Sequence, residues 1–157
     1  MKQAVFLALL LLLAAGSHAQ PSSITKEQRP MKMNAGVITA KLAETKAFYT
    51  EVLHFGVTFE NEFYLLLHTP GDQAEISFLL PEHASQQALF HKPFTGQGMY
   101  LTLEVDDVDQ LYRDIREKGI PVQVALRDEP WGDRHFAIVD PNGIAIDLVR
   151  YRAPDGE

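Results

Sequence analysis

The chain has 157 residues, 46% of them hydrophobic and 22% charged, enough for one domain with its own core and little beyond it. Its formal net charge is −7, a balance that sets the surface against nucleic acid as a partner. Cysteine is absent, which excludes a disulfide framework, a thiol nucleophile and a thiolate metal site.

In chain order, the first segment reads as an address and not as part of the fold. Lys2 precedes an unbroken apolar run over residues 4–15, and Ser17 and Ala19 then supply the small side chains that a signal peptidase needs. The run is shorter than the roughly 20 apolar residues of a membrane span. Residues 1–19 are therefore expected to be a signal peptide. The protein would be exported, periplasmic or secreted, and free of the membrane after cleavage. Loss of Lys2 would make it one charge more negative. Residues 20–32 are polar and proline-flanked without periodicity, a flexible leader. The domain is expected over 33–152, with 153–157 as a tail.

Within the domain the pattern occurs twice, in repeats over about 33–82 and 97–152. AGVITA is a strand signal, and LAETKAFYTEVLHF follows with Leu42, Phe48, Tyr49, Val52 and Leu53 on one helical stripe. GVTFENEFYLLL and AEISFLL supply further strands, separated by the turn formers TPGD. The second repeat opens at MYLTLEV. Its helix, DDVDQLYRDIREKG, has Asp107 placed to cap it and Gly119 placed to end it. VQVALRDE, RHFAIV and IAIDLVRY are three more strands, the last two joined by the hairpin turn DPNG. Asn34 and Tyr100 open matching strands and Leu42 and Val108 open matching helices, each pair 66 positions apart by subtraction. The fold class is α+β: two βαβββ modules.

One helix covers only one face of such a sheet. Strand alternation gives Ile144, Ile146 and Leu148 to the helix side and leaves Asp147 opposite. The same rule places Glu75 on one strand, and Tyr100 and Thr102 on another, away from the core, with Asn34 beside them. Two such faces closing together would make a polar cup. The alternative is a sheet face that simply meets water.

These segments resemble the vicinal oxygen chelate superfamily, which contains glyoxalase I, ring-cleaving dioxygenases and bleomycin-resistance proteins. LAETKAFYTEVLHFGV is similar to the family's first helix and strand, and PWGDRHFAIVDPNGIAIDLV to its final hairpin. The resemblance spans about residues 33–151 and implies paired modules forming a curved mixed-sheet cup, with homodimers common. In the family's metal enzymes four ligands come from the first and fourth strands of each repeat. Carried onto this chain, they fall on Asn34, Glu75, Tyr100 and Asp147. A carboxamide and a phenol of ordinary pKa about 10 are poor donors to a divalent metal, so no cofactor is expected. The alternative is a divalent cation held by Glu75 and Asp147 in a metal-dependent lyase, isomerase or dioxygenase. The WG at Trp131 also occurs in bleomycin-resistance proteins, which hold a bulky cation without chemistry. The sequence is therefore expected to be a metal-free binder of a small organic molecule, possibly cationic, using Asn34, Glu75, Tyr100, Thr102, Trp131 and Asp147. Trp131 as a plug for the barrel end, and the domain as an interaction surface only, stay open.

Overall fold

The computed structural model describes residues 31–152. The expected signal peptide, most of the expected leader and the tail lie outside the described residues. Among those described, no helix is long and apolar enough to cross a membrane.

The first module runs β1 Ala35–Ile38, α1 Leu42–Ala47, a π-helical turn Phe48–Val52, β2 Gly56–Glu60, β3 Tyr64–His68 and β4 Glu75–Leu79. The second runs β5 Tyr100–Glu104, α2 Val108–Glu117, β6 Val122–Asp128, β7 Asp133–Val139 and β8 Ala145–Tyr151. Each module forms its own four-stranded sheet, in the orders β1-β4-β3-β2 and β5-β8-β7-β6. The first and last strands of a module pair in parallel and the others antiparallel. Register shifts in β2 and β6 bend the outer strands. This is the α+β, two-module architecture that the repeat predicts.

The helix-side residues of both sheets merge into one apolar core, with Val37, Leu65 and Phe78 from the first module and Phe136, Ile146 and Leu148 from the second. Tyr49 and Ile115 come from the helical segments and are fully buried. The Tyr49 hydroxyl donates to Asp140 Oδ2 at 3.3 Å. Burial first, and then the Asp140 charge, push that phenol far above its ordinary pKa.

The α2 helix begins and ends as its caps dictate. Asp107 accepts a hydrogen bond from the Gln110 amide at 2.9 Å, and Gly119 leaves α2 with φ +72°. The first helical segment departs from the single α-helix expected over LAETKAFYTEVLHF, because α geometry stops at Ala47 and the backbone widens into the π turn. His54 then takes the left-handed conformation, φ +59°, that glycine adopts more cheaply.

The modules are joined through the β7–β8 turn, residues 140–143. Thr39 Oγ1 donates to Asn142 Oδ1 at 2.6 Å, Asn142 Nδ2 to Thr45 Oγ1 at 3.0 Å, and Lys41 Nζ to the Pro141 carbonyl at 2.5 Å. Asp140 holds the turn itself by accepting from the Asn142 and Ile144 amides at 2.8 Å each.

Candidate functional site

Asp147 lies on β8 with Thr102 of β5 on one side and Ala137 of β7 on the other. The antiparallel β7–β8 pairing puts His135 one pleat along the same face. Its Nδ1 is 2.6 Å from Asp147 Oδ1 and its Nε2 is 3.0 Å from Glu129 Oε1. Arg127 Nε reaches that Glu129 oxygen at 2.6 Å. Charges therefore alternate along Arg127, Glu129, His135 and Asp147.

Only a doubly protonated imidazole can donate to both carboxylates. Burial alone would lower the His135 pKa, but the hydrogen bonds and charges of Asp147 and Glu129 outweigh it and the pKa is raised. The same contact with His135 holds Glu129 below the ordinary carboxylate range despite some desolvation, with Arg127 assisting. An imidazolium engaged at both nitrogens has no lone pair to offer as a base or a metal ligand. Asp147, inserted into an otherwise apolar strand, is thus half of an ion pair.

The other expected residues divide between the two sheets. Tyr100 and Thr102 are exposed on the Asp147 face of the second sheet, the phenol 71% accessible. Trp131 stands in the β6–β7 turn, where its Nε1 donates to Asp133 Oδ2 at 2.8 Å and the residue is 67% exposed. An indole that open plugs no barrel end among the described residues. Asn34 precedes β1 and accepts from the Ser77 hydroxyl at 3.0 Å. Glu75 opens β4 opposite His68 and is exposed. Among the described residues, no hydrogen bond or ion pair links Asn34 or Glu75 to Tyr100, Thr102, Trp131 or Asp147.

Strand register moves one position of the family pattern. The Thr39 amide donates to the Leu79 carbonyl and the Val105 amide to the Val149 carbonyl, both at 2.8 Å. Thr39 and Val105 are repeat partners, so Leu79 matches Val149 and, two residues back, Ser77 matches Asp147. The first-module counterpart of Asp147 is therefore Ser77 and not Glu75. The four positions become Asn34, Ser77, Tyr100 and Asp147, with a single carboxylate that is already paired to His135.

That donor set does not fit a divalent metal. The pair Glu75 and Asp147 fares no better, because Asp147 is engaged by His135 and Glu75 is displaced from the matching position by two residues. No group of three or more His, Asp or Glu among the described residues is arranged to hold a metal ion. Elsewhere, His83 stacks on Phe63 at 3.9 Å between ring centres, and His91 Nε2 hydrogen-bonds to the Gln86 carbonyl at 2.9 Å.

Comparison with known proteins gives the lineage. The model of the Glyoxalase/Bleomycin resistance protein/Dioxygenase superfamily matches residues 33–148. The chain belongs to that superfamily. It is 35% identical over 49 residues to a bleomycin resistance protein of Geobacillus stearothermophilus, a match covering 31% of this chain and 37% of that relative. TnmS3, an antibiotic binding protein from a Streptomyces, superposes with a TM-score of 0.63 at 22% identity, over 79% of this chain and 98% of its own. A lactoylglutathione lyase from Agrobacterium tumefaciens reaches the same TM-score at 18% identity, over 78% and 95%. At those identities the two structures share the fold with this superfamily member, and a binder and an enzyme are both among them.

Proposed function

We propose that this superfamily member is an exported protein that binds a small organic molecule, cationic in character, without a metal. The carrying observation is the fate of Asp147: the carboxylate at the family's ligand position is tied to an imidazolium, while Tyr100 and Trp131 stand open on the same module. An exposed phenol and indole next to acidic side chains suit stacking and cation–π contact, worth roughly 0.5–2 kcal/mol per ring. Asn34, Thr102 and Glu75 would add hydrogen bonds or charge from the two sheet faces. The bleomycin-resistance and antibiotic-binding relatives are consistent with such a role. Phe59 and Tyr151 are half-exposed apolar side chains on the open faces, and pairing of two copies over those faces would complete the enclosure. Export rests on the apolar run over residues 4–15.

The single tryptophan provides the test. Titrating the mature protein with a panel of aromatic organic cations should change the Trp131 emission saturably. Asp147→Asn and Tyr100→Ala should each weaken the response severalfold, and chelator should leave it unaltered. A response that appears only after a divalent metal is added would overturn this reading in favour of a metal-dependent lyase or isomerase.

A further inference from the structure

The two junctions between modules are related by the repeat, but only one is closed. Where Thr39, Lys41 and Thr45 bind the 140–143 turn, their partners in the second module are Val105, Asp107 and Leu111, facing the β3–β4 turn over residues 69–74. Val105 and Leu111 have no polar side-chain atom, and Asp107 is committed to the cap of α2. The facing turn is satisfied internally: Thr69 Oγ1 accepts from the Gln73 and Ala74 amides at 3.2 and 3.1 Å, and Asp72 lies 3.2 Å from His68. Among the described residues, no hydrogen bond joins the 69–74 turn to residues 105–111; the bond from Lys118 Nζ to the Glu51 carbonyl ties the helical segments of the two modules instead.

The space left is a cleft of about 680 Å³, within the range of small-molecule sites. Its walls include Leu53, Phe55, Leu111 and Leu148, and Glu104 and Asp106 stand at it; no basic side chain lines it. Both carboxylates are exposed, and neither has a hydrogen bond or ion pair among the described residues.

We infer that this unstapled junction is a second binding site, taking a small organic cation whose apolar body enters between the modules while its charge meets Glu104 and Asp106. The site lies along the edge of β5, adjoining the Tyr100–Trp131–Asp147 face and sharing Thr102 with it, but its apolar walls and the 69–74 turn are its own. An apolar wall favours the hydrocarbon part, and two unpaired acids with no local base select the positive end.

Amide-resolved NMR of the mature protein tests it, with benzyltrimethylammonium as probe and phenylacetate as its anionic control. The cation should give saturable shifts at residues 69–74 and 103–106, and phenylacetate none. Glu104→Gln with Asp106→Asn, both surface changes that leave the core intact, should weaken the cation roughly threefold or more. Shifts absent from these segments, equal shifts with the anion, or unchanged affinity in the double variant would overturn the inference. The Trp131 indole signal is read in the same spectra: shifts there alone would sink this site and spare the proposed function, and shifts at the cleft alone would do the reverse.

Discussion

At the scale of single residues, His135 is the pivot of the candidate site, and its charge makes stability depend on pH in a definite direction. Its pKa is raised in the fold above the ordinary 6.5, so the stability it contributes is full below pH 6.5 and is lost as pH rises through the folded value. Glu129 is depressed below its ordinary 4.5; its contribution is full above pH 4.5 and fades as pH falls through the folded value. The difference in melting temperature between wild type and His135→Gln should therefore be largest between about pH 4.5 and 6.5 and shrink on the alkaline side. A difference that grew above pH 7 would contradict the imidazolium assignment. His54 offers a cleaner backbone test. It is exposed and holds φ +59°, so His54→Gly should stabilise by about 0.5–1 kcal/mol in chemical denaturation, strain relief exceeding the entropy that glycine adds to the unfolded chain.

His135 also marks what was legible and what was not. Alternation along RHFAIV, with DPNG fixing the hairpin, places His135 on the Asp147 face, one pleat from its opposite residue; the signal was present in the turn. Ser77 was harder. A two-residue slip keeps every side chain on its own face, so alternation alone cannot separate Ser77 from Glu75. The register of β4 against β1, a parallel pairing made across a long intervening stretch, was needed to decide it.

Among the elements, the two helices solve one problem differently. The α2 N-terminus is capped within its own chain segment, and Asp107→Ala should cost about 1 kcal/mol by equilibrium unfolding. The α1 N-terminus has no side-chain cap; its neighbourhood is ordered instead by the 140–143 turn of the other module. That turn needs its glycine. Gly143 has φ +86°, and a Cβ there would lie 3.2 Å from Gly96 Cα in the inter-repeat connection. Gly143→Ala should therefore destabilise by about 1–3 kcal/mol, with loss of module docking seen as faster exchange of the amides near Thr39 and Thr45. The strands and α2 were readable from periodicity and turn chemistry. The π turn at Phe48–Val52 was not, because Tyr49, Val52 and Leu53 fit an α-helical stripe equally well.

For the whole molecule, a duplicated module gives two sheets, two open faces and two junctions, and divergence between the copies is where function can enter. One junction is stapled by hydrogen bonds and the other keeps a cleft. One fourth strand carries a serine bonded to Asn34 and the other an aspartate bonded to His135. Neither copy retains the imidazole and carboxylate pair that a metal centre of this superfamily would draw from its first and fourth strands. Metal content of the mature protein purified without chelator tests this most directly, in wild type and Asp147→Ala side by side. The account predicts trace, substoichiometric divalent metal in both, with no difference between them. A stoichiometric metal in the wild type that disappears in Asp147→Ala would contradict it.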